Sequence, residues 1–316
     1  MKQPLIVLTG PTAVGKTALS IRLAKAIGGE IISADSMQVY KYMDIGSAKI
    51  RPEEMDGVPH YLVDVLEPDE EFHVVRFQQM AKEAMQQIYA NGHVPIIVGG
   101  TGFYIQALLY DIDFTDNDSD PAYREELEYY AQLHGADALH EKLRAIDPES
   151  AQSIHANNVK RVIRAMEYYH LTGEKISVHN AREREKDSPY DYRYFVLNDK
   201  REHLYQRIDQ RVDQMVQEGL LQEVEQLKAR GYHRGMVSMQ GLGYKEVLAY
   251  LDGEISFEEA VYEIKRDTRH FAKRQITWFK RERDVIWVNK DAYDYDESQI
   301  LHAILGQLPE SIQTVI

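Results

Sequence analysis

Eight residues near the start of the chain, Gly10, Pro11, Thr12, Ala13, Val14, Gly15, Lys16 and Thr17, have the types and spacing needed to hold phosphate groups. They complete the pattern G-x-x-x-x-G-K-[ST]. The glycines let the backbone wrap closely round an anion. Amides at the start of the following helix point at that anion, and the helix dipole favours its negative charge. Lys16 would neutralise phosphate oxygens, and the Thr17 hydroxyl would ligate a magnesium ion. Such a loop fits an ATPase, a small-molecule kinase, or any enzyme that grips a diphosphate. It does not name the reaction.

Three further places carry chemistry. The segment SADSMQVY (33–40) brings Asp35 and Ser36 to the end of an expected second strand. Ligands of open α/β sheets bind beyond the carboxyl ends of the strands, so Asp35 should face the phosphate loop, where an acid can serve as base for a substrate. The segment VGGTGFY (98–104) ends another expected strand with three glycines and Thr101. Arg207 and Arg211 lie four residues apart, one turn along one face of an expected helix. Spacing alone leaves both open as exposed helix charges or as an anion clamp.

The elements that must position these residues alternate. Apolar runs at 5–10, 30–36, 60–66, 94–102, 190–198 and 284–289 read as strands. After the first, Leu19, Leu23, Ala26 and Ile27 share one helical stripe that Gly28 can cap. Near-continuous apolar strands separated by helices predict an α/β fold with a parallel sheet covered on both faces. The texture changes at the acidic stretch 111–120. Residues 115–187 read as a helical insertion, so 1–114 and 188–316 form the phosphate-loop core. A long helical pattern covers 201–231, and Ser256 with Glu259 forms a capping box that opens a basic helix.

Composition sets limits. The chain has 316 residues, 44% hydrophobic and 28% charged, enough for a sizeable core. It has no cysteine, which excludes disulfides, thiolate zinc sites and cysteine nucleophiles and fits a reducing cytoplasm. No run approaches the length of a membrane span, and the first apolar run is too short for a signal peptide. The formal net charge of −14 argues against a polyanionic partner, but local charge decides. Residues 265–283 carry eight Lys or Arg against two acids, and 160–164 carries three against none. The twelve histidines show no metal-ligand spacing, and Trp278 and Trp287 read as core.

Taken in order and spacing, GPTAVGKT, SADSMQVY, DIGSAK (44–49), VGGTGFY, RIDQRVDQM and TRHFAKRQITWF resemble the tRNA dimethylallyltransferases, also called tRNA isopentenyltransferases. The resemblance runs from about residue 5 to 287 and is to the bacterial form, since the zinc-finger extension of some eukaryotic members is missing. Ser47 stands where the family usually has threonine. The resemblance implies transfer of a dimethylallyl group from dimethylallyl diphosphate to N6 of the adenosine beside the anticodon, in tRNAs that read codons beginning with U. Residues 10–17 then hold the leaving diphosphate with magnesium on Thr17, Asp35 takes the amino proton, and Arg211 is the second clamp. Gln38 reads the extruded adenine with Ser36 and Met37 beside it. Thr101 and Arg124 match family positions that contact tRNA, and the family places the QGLGYK segment, with Gln240, Gly241, Gly243, Tyr244 and Lys245, near tRNA. The basic clusters Lys160, Arg161, Arg164 and Arg266, Arg269, Lys273, Arg274 are read from their spacing as contacts to tRNA phosphates. The expected partners are the tRNA anticodon stem-loop and dimethylallyl diphosphate, in a cytoplasmic monomer.

Two other classes compete. An adenylate isopentenyltransferase acting on free AMP would need neither the helical insertion nor the basic C-terminal helix; in a phosphate-loop kinase the insertion could serve as an arginine-bearing lid, but TRHFAKRQITWF would have no role. A non-catalytic RNA-binding module would leave Asp35 without a use.

Overall fold

Alternation of short β-branched runs with amphipathic helices produces a six-stranded, wholly parallel sheet. A computed structural model of the chain describes residues 2–114, 120–309 and 312. Residues 115–119 of the acidic stretch, where the insertion was expected to begin, lie outside the described residues.

In chain order the elements are β1 (Gln3–Thr9), α1 (Lys16–Ile27), β2 (Gly29–Ala34), β3 (His60–Tyr61), α2 (Val74–Ala90), β4 (Val94–Gly99) and α3 (Gly102–Leu109). Then come α4 (Pro121–His134), α5 (Ala136–Ile146), α6 (Pro148–Ser153), α7 (Val159–Thr172) and α8 (Ile176–Glu185). The chain returns with β5 (Tyr190–Asn198), α9 (Arg201–Glu218), α10 (Leu220–Ala229), α11 (Tyr244–Leu251), α12 (Phe257–Phe279), β6 (Val285–Asn289) and α13 (Glu297–Leu305).

The strand order is β3-β2-β4-β1-β5-β6. β1 lies between β4, with Ile6 opposite Ile96, and β5, with Ile6 opposite Arg193. Every connection is a crossover, so both faces are covered. On one face Ile6, Leu8, Ile31, Ile96, Phe195 and Leu197 form a core with Leu19 and Leu23 of α1, Ile208 of α9 and Ile304 of α13. The other face carries α2 and α3, whose Phe77 and Tyr104 rings stack at 4.7 Å and meet Phe72 edge-on.

Two compact units result, Met1–Leu109 with Pro189–Ile316, and Tyr110–Ser188. The second has its own core of Leu127, Leu139, Leu143, Val162, Ile163 and Met166. Its buried Asp147 accepts four hydrogen bonds, two each from Ser150 and Ser177. Burial pushes that carboxyl up, but the four donors outweigh it and hold it below its usual range.

Local readings are met in places and revised in others. Gly28 caps α1 with φ 61°, and the Ser256 side chain accepts from Glu259 N at the start of α12. The expected strand 60–66 stops after Tyr61, because Leu62 and Asp64 adopt positive φ. The amides of Asp64, Val65 and Leu66 turn instead to the carbonyls of Gln38 and Val39. The single long helix expected over 201–231 is two, broken at Gly219, where φ is 105°.

Candidate active site

The strands β1, β2 and β4 deliver three loops to their shared carboxyl edge, and α9 and α12 bring side chains to the same place. In the phosphate loop, Gly10 passes so close to β5 that a Cβ there would lie 2.5 Å from Leu197 O. Four carbonyls of this loop accept from cationic side chains. Lys16 Nζ donates to Gly10 O and Pro11 O at 3.0 and 2.8 Å, Arg207 Nε to Ala13 O at 2.8 Å, and Lys290 Nζ to Val14 O at 3.4 Å. With those carbonyls paired, the first N–H groups of α1 still have neither a side-chain cap nor an acid in the first turn. That is the donor set an anion takes.

The loop is electrostatically primed for such an anion. Burial lowers the Lys16 pKa from 10.5 to about 7, and Arg211 repels its charge further; Asp35 opposes both. Burial also lowers the Arg211 pKa, against the pull of Asp35 and with the push of Arg207. Three cations therefore crowd one carboxylate, and a bound diphosphate relieves the repulsion. The sign of the pH effect follows. Free Lys16 is charged below about pH 7, and the complex needs it charged at higher pH. Binding of diphosphate there would therefore take up a proton, and its Kd should rise with pH above 7 by up to about tenfold per unit. Calorimetric titration with inorganic diphosphate checks this, and Lys16→Arg should flatten the profile.

Asp35 follows β2 directly. Its Oδ1 accepts from Met37 N at 2.8 Å and Gln38 N at 3.3 Å, a local turn that fixes the side chain. Oδ2 makes no hydrogen bond among the described residues and is free to accept a proton. Ser36, Met37 and Gln38 are half-buried beside it. The Gln38 amide is oriented by its surroundings. Nε2 donates to Ala48 O at 3.1 Å and Ser47 O at 3.5 Å, and Oε1 accepts from Ser33 Oγ at 3.4 Å.

The glycine loop after β4 owes its composition to close approach. A Cβ on Gly99 would strike the Ala34 backbone, one on Gly100 the Gln275 amide, and one on Gly102 the Trp278 indole. Thr101 N donates to Ala34 O at 3.2 Å, which ties this loop to the end of β2, just before Asp35. Trp278, expected in the core, is half-buried against Phe103.

Sequence reasoning missed Gln275 and Lys290. Gln275 is buried on α12 and joins two loops: Oε1 accepts from Thr12 N at 2.9 Å, and Nε2 donates to Gly100 O at 3.0 Å. A polar residue on the stripe with Ala272 and Phe279 was its one signal. Lys290 is 4% exposed and pairs with Glu297 at 2.7 Å. Gln275→Leu should leave the Thr12 amide and the Gly100 carbonyl unpaired, at about 1–3 kcal/mol each. Denaturant unfolding reads the loss, and weaker diphosphate binding should accompany it.

The expected RNA contacts divide. Lys160, Arg161 and Arg164 are exposed on α7, and Lys273 and Arg274 on α12; none has an acidic partner among the described residues. Arg269 instead pairs with Asp209 of α9. Arg124 forms a two-pronged pair with Glu167, 2.8 and 2.7 Å, that joins α4 to α7. In QGLGYK, Gln240 is exposed and donates to Arg234 O, Met37 packs on Gly241, and Lys245 lies 3.3 Å from Glu246. Gly243 caps α11 with φ 94°. The Tyr244 ring is fully buried.

Fold and site define a phosphate-loop α/β protein in which an anion cradle and a carboxylate share one edge of a parallel sheet. The family model described as IPP transferase matches residues 38–282. The chain is 67% identical over 296 residues to the tRNA dimethylallyltransferase of Lachnoclostridium phytofermentans, covering 94% of this chain and 95% of that one. It resembles the crystal structure of the tRNA isopentenylpyrophosphate transferase of Bacillus halodurans with TM-score 0.73 at 45% identity, over 99% of this chain and 98% of that one. It also resembles a eukaryotic dimethylallyltransferase captured acting on tRNA, with TM-score 0.81 at 30% identity, over 97% of this chain and 80% of that one. The chain belongs to the IPP transferase family, in its bacterial form.

Proposed function

We propose that this chain transfers the dimethylallyl group of dimethylallyl diphosphate to N6 of the adenosine beside the anticodon, in tRNAs that read codons beginning with U. The observation that carries the reading is the convergence of Lys16, Arg211 and Asp35 at the end of β1 and β2. In the transfer, the bond from C1 to the diphosphate oxygen breaks and a bond from C1 to N6 forms. The N6 proton passes to Asp35 Oδ2, and diphosphate leaves. Lys16, Arg211 and the loop amides stabilise the charge that develops on the leaving group. Adenine's amino group is a weak nucleophile because its lone pair is shared with the ring, so a carboxylate that accepts its proton matters.

Magnesium fits this site: the exposed Thr17 hydroxyl, in the first turn of α1, is a hard oxygen donor that diphosphate oxygens and water can complement. Bound there, the ion supplies further neutralisation of the diphosphate. The target base belongs to a single-stranded loop, where bases are extruded at low cost. With Nε2 engaged by two carbonyls, Gln38 presents Oε1 as an acceptor for the amino group of adenine.

The cations of α7, which have no acidic partner among the described residues, supply phosphate contacts on the insertion unit and favour tRNA over free AMP as acceptor. Replacing Lys160, Arg161 and Arg164 together by alanine should weaken stem-loop binding and reduce the salt slope by about 0.7–0.9 for each phosphate no longer neutralised. Fluorescence titration at several salt concentrations checks this. The reading itself is tested by incubating the protein with magnesium, labelled dimethylallyl diphosphate and an unmodified anticodon stem-loop, with AMP and ATP in parallel. Label in the stem-loop alone supports it. Label in AMP, or phosphate released from ATP without transfer, overturns it.

A further inference from the structure

The residues that hold Gln38 are themselves held from a distance. The loop 44–49 offers three successive backbone N–H groups to one side chain, Glu223 of α10. Its Oε2 accepts from Asp44 N at 2.9 Å and Ile45 N at 2.7 Å, and its Oε1 from Gly46 N at 3.0 Å. The buried Tyr244 of α11 completes the arrangement. Its hydroxyl donates to Glu223 Oε1 at 2.8 Å and accepts from Ser47 N at 3.1 Å. Its ring lies under Gly46, where a Cβ would stand 2.6 Å from Cζ. Four consecutive amides, 44 to 47, are thus drawn toward α10 and α11. Ala48 N closes the turn on Ile45 O at 3.0 Å.

The other side of this loop faces Gln38. With the amides turned away, the carbonyls of Ser47 and Ala48 point at Gln38 Nε2. Two carbonyls cannot face the amide oxygen without repulsion, so they hold Nε2 on the loop side and leave the opposite end, Oε1, to accept from Ser33 Oγ at 3.4 Å with a second lone pair for a further donor. That end is an acceptor. It complements the 6-amino group of adenine and rejects a base with an oxygen at that position.

We infer that Glu223 and Tyr244 are positioning residues for target-base selection, acting through the loop 44–48 to fix the amide of Gln38. The inference rests on the proposed transfer to adenosine. It also gives the buried Tyr244 of the QGLGYK segment a use.

The test compares wild type with Glu223→Gln and Tyr244→Phe. Tyr244→Phe keeps the ring beneath Gly46 and removes only the hydroxyl bridge. For Glu223→Gln, kcat/KM for the stem-loop should fall about tenfold to a hundredfold, the effect that misplacing a group near the reaction has. Tyr244→Phe should fall less, in the same direction. The Kd for inorganic diphosphate should stay at the wild-type value in both. A competitor stem-loop with hypoxanthine at the target position should inhibit both variants better, relative to their adenine substrate, than it inhibits wild type. A parallel loss of diphosphate affinity would show a merely structural role and overturn the inference, as would an unchanged hypoxanthine-to-adenine ratio. Wild type that fails to label the stem-loop would overturn the transferase reading and this inference with it.

Discussion

Asp35→Asn is expected to lower kcat by about 10²–10⁴-fold, the usual contribution of a positioned general base. Asparagine is more informative than alanine here. The native Oδ1 accepts from Met37 N and Gln38 N, and an asparagine Oδ1 can do the same. The turn that places Gln38 therefore survives. What disappears is the ability of the second oxygen to take a proton. Stem-loop binding should persist. Diphosphate binding should persist or strengthen, because a carboxylate beside Lys16 and Arg211 repels an incoming anion even as it supports their charge. Single-turnover transfer with labelled dimethylallyl diphosphate, beside equilibrium binding of each substrate, separates these quantities. An Asp35→Asn enzyme with near-normal turnover would remove Asp35 from the base role and leave it as a turn former.

Arg211→Ala should cost about 10²–10³-fold in kcat, comparable to loss of one preorganised donor to a developing anion. It should also change the pH dependence of diphosphate binding. Arg211 is one of the causes that depress Lys16 to about 7. Without it, Lys16 keeps its proton to higher pH, and the pH at which diphosphate Kd begins to rise moves upward. A catalytic loss without that shift would place Arg211 away from Lys16. The shift without the catalytic loss would make it an electrostatic neighbour and not a clamp. Lys16→Arg serves as control for the profile, because its guanidinium stays protonated throughout.

What the sequence disclosed was what depends on neighbours in sequence. The phosphate loop, the turn after β2 and the cap of α12 are local, and their residue types announce them. Gly219 also carried a local signal: a glycine amid a helical pattern marks a break, as its φ of 105° shows. The strand expected over 60–66 misled because its apolar run pairs with a loop and not with the sheet. Gln275 lies 263 residues from Thr12, and Glu223 179 residues from Asp44. No periodicity predicts such partners. The pairings of the α12 charges were hidden for a related reason. Arg269 and Lys265 are answered by Asp209 and Asp213 of α9, acids that belong to a different stretch of sequence. Net charge in a window does not reveal which cations are already matched.

The place of β1 in the sheet has a consequence for biosynthesis. Its partner on one side is β4, and on the other β5, which begins at Tyr190. A nascent chain therefore emerges from the ribosome with its first strand bordered on one side only. The helices Pro121–Glu185 form a contiguous run with their own core and can assemble meanwhile. The sheet unit must wait, with the β5-facing edge of β1 open to other chains, until more than half of the polypeptide has been made. Pairings this distant are slow to form and expose the intermediate to aggregation. The phosphate loop waits longer still, since Arg207, Gln275 and Lys290, which brace it, are translated later. Ribosome-bound chains ending before β5 should bind chaperones and retain no diphosphate, and competence should arrive only with the last third of the protein.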